Sequence, residues 1–269
     1  MEIGIVGAGF AGLSAAKVLG QFNHDVTVFE SCPDVGGVWS RTRRYPGVTT
    51  QNVRSTYGFS DFPMPRSLPE WPSGEQVQRF LEAYVERFGL RDRVRLQTEV
   101  VAAELDEEAG RWRLTLREAA TGDAGTAECD WLVVANGIFC DPFVPALAGQ
   151  EAFAGAGGRV CHTSELHELD EARGRHVVVV GYGKSSCDVA DAVSPVAAST
   201  SVVARHLLWK MPRRLGGALN YKYLMLTRMG EALFRYIRPK GFERFLHGPG
   251  NGVRRALLDS AAPSQIGGS

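Results

Sequence analysis

The stretch IGIVGAGFAGLSAAKVL, residues 3–19, decides the fold of this 269-residue chain. It starts with a short apolar run, passes through a glycine-rich turn and continues with apolar residues at helical spacing. A second apolar run, at residues 26–29, has the length and composition of a strand. This order predicts a strand, a tight turn, a helix and a second strand, a unit that is typical of parallel α/β sheets.

The glycines of the turn have the spacing of a dinucleotide-binding loop: Gly7, Gly9 and Gly12. In such a loop the first permits the turn, the second leaves room for a pyrophosphate and the third lets the helix approach the strand. The helix N-terminus adds free N–H groups and partial positive charge. Glu30 ends the second strand 23 residues after Gly7, close to where an acid hydrogen-bonds ribose hydroxyls. A purely structural turn would leave Glu30 unexplained.

A second unit of the same kind is centred on GYGKSSCD, residues 181–188. Four valines at 177–180 precede it, as in a strand buried on both faces of a parallel sheet, and a helix (185–193) and a short strand (202–204) follow. The small residues of this turn, with the lysine between them, are Gly181, Gly183, Lys184, Ser185 and Ser186. Serine at the third glycine position is still small enough for close packing.

The second unit ends on a base instead of an acid, because Arg205 lies 24 residues after Gly181. A guanidinium cannot accept a hydrogen bond from ribose, but it suits a 2′-phosphate in bidentate fashion. We therefore predict FAD at the first turn and NADPH at the second. Lys184 and His206 could assist the phosphate, although each is also compatible with an ordinary surface residue.

The predicted fold class is α/β, with two Rossmann-like dinucleotide-binding domains. We place the FAD domain at residues 1–139 and the NADPH domain, with a basic helical tail, at 140–269. Strand-like alternation at 94–104, 111–116 and 128–134, with turns at Gly110 and Gly122, predicts a small antiparallel meander inside the first domain. Helical spacing returns at 76–88, and residues 32–72 show only extended connections.

Composition excludes several classes of protein. Hydrophobic residues make up 44% of the chain and charged residues 22%, an ordinary globular balance. No apolar run approaches the roughly 18 residues that span a bilayer, and no basic leader precedes the first strand, so we expect a soluble, cytoplasmic protein. Five widely spaced cysteines, with no CxxC pair, argue against structural disulfides, a zinc cluster and a dithiol redox centre, and we predict no metal site.

Charge is balanced overall but not locally. Thirty basic residues cancel thirty acidic ones, which gives no general attraction to nucleic acid. Residues 201–269, however, contain twelve Lys or Arg and three Asp or Glu. This tail is either a solvated helical surface or a positive field that attracts a phosphorylated ligand.

The chain resembles the flavin-containing monooxygenases and, more broadly, the class B group that includes Baeyer–Villiger enzymes. The resemblance runs almost continuously over residues 1–214. Besides the two glycine turns and Glu30, the matching motifs are GGVW (36–39), QNVRSTYGFSDFPMP (51–65), WLVVANG (131–137) and CHTSE (161–165). Together they are far more specific than either turn alone.

The resemblance implies roles for residues outside the turns. Gly36, Gly37 and Trp39 would lie along FAD, although Trp39 is also compatible with plain core packing. Asn52 matches a family asparagine near the reactive part of the flavin ring and is the one catalytic candidate. Asn136 and Gly137 match the linker between the two domains.

The chain departs from the family at two places. The family signature joins Phe, Gly and His at short fixed spacing; here Phe153 and Gly155 are too far from His162, and Gly158 lacks an upstream Phe. We interpret His162 as a domain-interface residue, or else as an ordinary core or surface histidine. Family members also return from the NADPH domain to complete the FAD domain. The lack of that return here suggests a fragment, a truncated frame, or a chain completed by a partner or second copy.

The activity implied by the resemblance is a monooxygenase. NADPH would reduce FAD, O2 would add to it, and the flavin peroxide would transfer one oxygen atom to a small-molecule substrate with a soft N or S nucleophile or a ketone. The alternatives are an NADPH-dependent flavin reductase or oxidase that releases hydrogen peroxide, and an inactive nucleotide-binding fragment. We expect the bulky segment 221–237 to pack on the NADPH domain or on absent sequence; the alternative is that its basic amphipathic face touches a membrane.

Overall fold

The computed structural model describes residues 1–206, 213–215 and 218–220. The chain divides into two compact units, Met1–His206 and Leu207–Ser269. The helices and strands of the first unit are β1 (Glu2–Val6), α1 (Phe10–Gln21), β2 (Asp25–Phe29), α2 (Gly74–Arg87), β3 (Val94–Arg95), β4 (Thr98–Asp106), β5 (Arg111–Glu118), β6 (Ala124–Cys129), β7 (Trp131–Val134), α3 (Gln150–Gly155), β8 (His176–Val180), α4 (Lys184–Val193) and β9 (Ser199–Val203).

Within the first compact unit, Met1–His206, we distinguish two lobes. The first lobe, which contains the elements from β1 to β7, is built on a parallel sheet with the strand order β3-β2-β1-β7. One face packs on α1 and α2 through a core that includes Ile5, Leu13, Val28, Leu81 and Tyr84. A capping box between Ser73 and Gln76 fixes the start of α2. The other face packs on the antiparallel meander β4-β5-β6 through residues such as Leu114 and Cys129. The predicted strand, turn, helix and strand are confirmed.

The predicted boundaries of the meander are wrong at both ends. The stretch 128–134 is two strands: β6 closes the meander and β7 joins β1 in the parallel sheet. Asp130 separates them, since its N–H donates to the Glu2 carbonyl (2.9 Å) and its carboxylate accepts from the Glu2 N–H (2.8 Å). The stretch 94–104 likewise divides into β3 and β4, and Gln97, at φ 54°, lies between them.

The second lobe contains the parallel pair β8 and β9 with α4 packed against it. Val179, Val189 and Val193 are buried in its core. The prediction that β8 is buried on both faces is wrong for the described residues, because Val178 and Val180 are 61% and 60% exposed. Successive side chains of a strand point to opposite faces, and the described part of the chain covers one of them.

Of the second compact unit, Leu207–Ser269, the structure describes only residues 213–215 and 218–220. There β10 (Arg214–Leu215) pairs in antiparallel fashion with β11 (Leu219–Asn220). The prediction that the basic tail is helical is wrong at these positions, where the sequence between the strands contains Gly216 and Gly217, poor helix formers. The bulky segment 221–237, with its expected packing, lies outside the described residues. None of the described helices has the length and apolarity needed to cross a membrane.

Candidate functional site

The glycine turn of the first lobe connects the carboxyl end of β1 to α1. An added Cβ at Gly7 would lie 2.7 Å from the Ala135 carbonyl oxygen, and one at Gly12 would lie 1.8 Å from the Gly7 oxygen. Folding itself therefore requires glycine at both positions. A Cβ at Gly9 would make only ordinary contact, 3.7 Å from Gly37 Cα. The protein leaves room at Gly9 that a ligand could use.

The start of α1 presents main-chain donors beside this space. Gly9 is the N-cap residue, and no side chain caps the helix. The first N–H groups of a helix have no partner within the helix and carry partial positive charge. This end of α1 could therefore hold an anionic group such as a pyrophosphate.

Glu30 lies beside the same turn and is 5% exposed. Its Oε2 accepts a hydrogen bond from the Ala8 N–H at 2.7 Å, and its Oε1 accepts one from the Cys32 N–H at 2.9 Å. A carboxylate has about four acceptor positions, so further hydroxyl donors could still be accommodated. The sequence predicted Glu30 as a ribose ligand; the structure adds that it holds the turn together.

The segment GGVW approaches the first turn from the other side. Gly36 donates its N–H to the Ala8 carbonyl at 3.1 Å, and a Cβ at Gly37 would lie 3.3 Å from Gly9 Cα. Trp39 is 8% exposed and lies edge-on to Tyr57, with ring centroids 5.7 Å apart. The indole thus belongs to the core of the first lobe. The structure brings together three predicted site glycines: Gly9, Gly36 and Gly37.

A buried polar network that the sequence analysis missed holds this segment on α2. Gln78, 5% exposed, donates to Asp34 Oδ2 at 2.9 Å and to the Val35 carbonyl at 3.2 Å. Its own oxygen accepts from Arg44, and Asp34 accepts from Ser40. The feature of the sequence that could have indicated this network is Gln78, a polar residue next to Val77 on the apolar side of a predicted helix.

The remaining predicted residues of the first lobe occupy loops. Asn52 is half-buried, and its carbonyl accepts a hydrogen bond from the Thr50 hydroxyl at 2.7 Å. Asn136 and Gly137 follow β7 and are exposed. Asn136 Nδ2 lies 3.4 Å from Cys140 Sγ. Because Asn136 Cα would lie 3.1 Å from a Cβ at Gly7, the end of β7 and the first turn are in direct contact.

The second glycine turn repeats the pattern between β8 and α4. Gly181 has φ 121°, and an added Cβ would lie 2.8 Å from Ser186 Oγ. Gly183 is the uncapped N-cap of α4, exposed, with no described atom within 4 Å of an added Cβ. Lys184 in the first turn of α4 forms an ion pair with Asp188. Space and donors at the helix start are again compatible with a phosphate group.

Arg205 is exposed two residues after β9. Since β8 and β9 are parallel, their carboxyl ends meet at the same edge of the sheet. Arg205 and the second glycine turn therefore lie at one edge, and no ion pair joins Arg205 to another described residue. His206 is also exposed.

His162, the histidine compared with the family signature, lies at the start of a short turn outside both glycine turns. His162 Nδ1 accepts from the Ser164 N–H at 3.2 Å, and the His162 N–H donates to Glu165 Oε2 at 2.6 Å. These bonds cap a short 3-10 turn, Thr163–Glu165. Phe153 is distant from His162 in sequence, but its ring lies over Gly158, where an added Cβ would be 2.3 Å away.

The fold and the two turns define a class: a two-lobed α/β protein with a Rossmann-type turn in each lobe. The match to a family model is more specific, since flavin-binding monooxygenase-like proteins are matched over residues 1–248. The chain belongs to this family.

Individual relatives agree with that assignment. The chain is 34% identical to a Baeyer–Villiger monooxygenase of Streptomyces coelicolor over 220 residues, 79% of this chain and 39% of that protein. It is 28% identical to senecionine N-oxygenase of Tyria jacobaeae over 218 residues, 76% of this chain and 46% of that protein. The chain thus spans about half the length, or less, of such relatives.

A solved structure also agrees with the family assignment. Cyclohexanone monooxygenase from Rhodococcus sp. Phi1, bound to NADP+, matches with a TM-score of 0.69 and 26% identity over 78% of this chain and 40% of that one.

Proposed function

We propose that the chain carries the cofactor-binding part of an NADPH- and FAD-dependent monooxygenase that inserts one oxygen atom from O2 into a small molecule. The observation that carries the proposal is the contrast between the two turns. The first is paired with a buried carboxylate, Glu30, and the second with an exposed guanidinium, Arg205. Two unlike nucleotide sites in one chain allow electrons to pass from one cofactor to the other.

FAD fits the first turn. Gly9 leaves the space that a pyrophosphate needs, the uncapped start of α1 supplies N–H donors, and Glu30 supplies acceptors for ribose hydroxyls. Gly36 and Gly37 would let the main chain approach the same ligand, and Trp39 would support it from the core. Asn136 and Gly137 would border the ligand where β7 ends.

NADPH fits the second turn. Gly183 leaves open space, and the N–H groups of Lys184, Ser185 and Ser186 form the uncapped start of α4. Arg205 would hold the 2′-phosphate. The related cyclohexanone monooxygenase bound to NADP+ supports this assignment.

The chemistry would belong mainly to the cofactors: FAD held at the first turn would supply the capacity to accept a hydride from NADPH and to activate O2. The chain would position the two cofactors, and the side-chain amide of Asn52 would offer hydrogen bonds near the reacting atoms. We propose a soft nucleophile (N or S) or a ketone as the substrate, and the N-oxygenase and the Baeyer–Villiger enzyme among the relatives support the nitrogen and ketone classes. Of the other predictions, the domain division at 139/140, a cytoplasmic location and completion of the FAD site by a partner or second copy are retained as proposals.

The test is a balance of NADPH consumed against products formed. The purified chain would be loaded with FAD and supplied with NADPH, O2 and, in turn, a tertiary amine, a thioether and a cyclic ketone. We expect oxygenated product from at least one of them, quantified by mass spectrometry. One hydrogen peroxide per NADPH without product would instead favour the oxidase. Protein that stays colourless with FAD would indicate an inactive fragment.

Arg205→Ala tests the NADPH site separately. Loss of hydrogen bonds to a charged phosphate costs about 1.5–3 kcal/mol, so affinity for NADPH should fall about 10- to 150-fold while affinity for NADH changes little. Dissociation constants for both nucleotides, measured by calorimetry, check this result. Arg175→Ala is the matched control, because it removes the same charge next to the amino end of β8, away from the turn. Equal weakening of NADPH and NADH would show that Arg205 does not bind the 2′-phosphate.

A further inference from the structure

Three consecutive side chains in the sequence RRYPG, residues 43–47, contact three different parts of the first unit. Arg43 donates to the main-chain oxygens of Phe139 and Cys140, the latter at 2.8 Å, just after the predicted linker. Arg44 donates to the Trp39 carbonyl at 3.2 Å and to the side chain of Gln78. We call residues 43–47 the bridge segment.

Tyr45 reaches the second lobe. Its hydroxyl donates to Asp188 Oδ2 at 3.2 Å, and its ring packs on the core of that lobe. Burial, with the negative charge of Asp188 adding to it, raises the pKa of Tyr45 to about 12, so the hydroxyl stays protonated and can donate. Asp188 Oδ2 also accepts a hydrogen bond from the ammonium of Lys184, one helical turn earlier.

Gly47 brings the main chain of the bridge segment against α4, the helix that contains Lys184 and Asp188. Its φ is 80°, and an added Cβ would lie 2.9 Å from Ala192 Cβ. The Asp188 carbonyl oxygen would be 3.6 Å from that Cβ. Main-chain contact and the Tyr45 hydrogen bond therefore fix the bridge segment on α4 at two points.

These contacts form a series that ends at the predicted phosphate site. The Tyr45 hydroxyl donates a hydrogen bond to Asp188, and Asp188 forms an ion pair with Lys184 in the first turn of α4, next to Gly183. A side chain that is already ordered loses less conformational freedom when a ligand binds. The other end of the bridge segment follows GGVW, which contacts the first glycine turn. Residues 43–47 thus connect the two predicted nucleotide sites.

We infer that Tyr45 is a positioning residue for NADPH, acting through Asp188 and Lys184, and that the bridge segment couples occupancy of the second turn to the loop beside the first. The inference rests on the proposed function, since it assumes that NADPH binds at the start of α4. It predicts that a nucleotide bound to the second lobe changes the dynamics of a segment that belongs to the first.

The probe is NADP+, and the protein is the full chain loaded with FAD. In the wild type, NADP+ should slow amide hydrogen exchange at residues 181–186 and also in the bridge segment. Tyr45→Phe keeps the ring and removes the hydroxyl. We expect it to raise the dissociation constant for NADP+ about three- to tenfold, as for the loss of one hydrogen bond, and to remove the protection of the bridge segment. FAD retention should not change.

A mutant cycle separates positioning from a general loss of stability. In an Asp188→Ala background, Tyr45→Phe should have no further effect on NADP+ affinity, because the connection is already broken. Arg173→Ala is the control; it removes an exposed ion pair with Asp170 in the same lobe and should leave the affinity unchanged.

Two results would overturn the inference, and they are distinguishable. If residues 181–186 are protected but Tyr45→Phe changes neither the affinity by more than twofold nor the protection of the bridge segment, the positioning role is refuted while the nucleotide site stands. If NADP+ protects neither region in the wild type, the nucleotide site is refuted, and the inference with it.

Discussion

Alanine in place of Gly9 is expected to give a folded protein that retains less FAD than the wild type. The main chain of Gly9, at φ −85° and ψ −167°, is accessible to alanine, and the added methyl group would meet Gly37 only at 3.7 Å. The protein therefore tolerates the change, but the methyl group occupies the space assigned to the pyrophosphate. Forcing a methyl group into a filled contact costs about 1–3 kcal/mol, equivalent to an affinity loss of about 5- to 150-fold.

The measurement combines circular dichroism with flavin absorbance per mole of purified protein. Gly12→Ala is the contrasting variant, because its Cβ would lie 1.8 Å from the Gly7 carbonyl oxygen, a main-chain atom that cannot move without disturbing β1 and α1. We expect it to be destabilised by about 3 kcal/mol or more and to lose fold and FAD together. A Gly9→Ala protein with stoichiometric, tightly bound FAD would contradict the assignment of the first turn.

Substitution of Glu30 is expected to reduce both the free energy of unfolding and FAD binding. Glu30→Ala leaves the buried N–H of Ala8 and the half-buried N–H of Cys32 without their acceptor. Each unpaired buried group costs about 1–3 kcal/mol. Glu30→Gln keeps one acceptor oxygen and should lose roughly half as much stability. Denaturant unfolding of the FAD-free protein measures the structural part.

The ligand part is measured by titration with FAD under conditions in which each variant is folded. If the carboxylate binds ribose, both variants should bind FAD more weakly even where they are fully folded. Glu171→Gln is the control, since that carboxylate also accepts two main-chain N–H groups but lies in the second lobe and is 29% exposed. Unchanged FAD affinity in folded Glu30→Gln would restrict Glu30 to a structural role.

The strand boundaries illustrate what local sequence cannot encode. Alternation at 128–134 correctly indicated extended chain, but the assignment of its halves to different sheets depends on hydrogen bonds between Asp130 and Glu2, 128 residues apart. The four valines of β8 were likewise correctly predicted as a strand, yet their exposure depends on which elements cover each face. Periodicity reports conformation and not the neighbours that a strand acquires.

The sites show the same division. The two glycine turns, and the positions of Glu30 and Arg205 near the ends of the strands that follow, could be predicted from the sequence because a strand, a turn and a helix are local and their spacing follows from main-chain geometry; their roles as cofactor ligands stay predictions. The bond between Tyr45 and Asp188 joins residues 143 positions apart, and the glutamine that anchors GGVW lies on another helix. The sequence by itself determined the two Rossmann-type units and their family, since short-range sterics and hydrophobic period specify them. Only the tertiary structure decided which strands pair, which glycines folding itself requires and how the lobes are connected, because those depend on contacts between residues far apart in the chain.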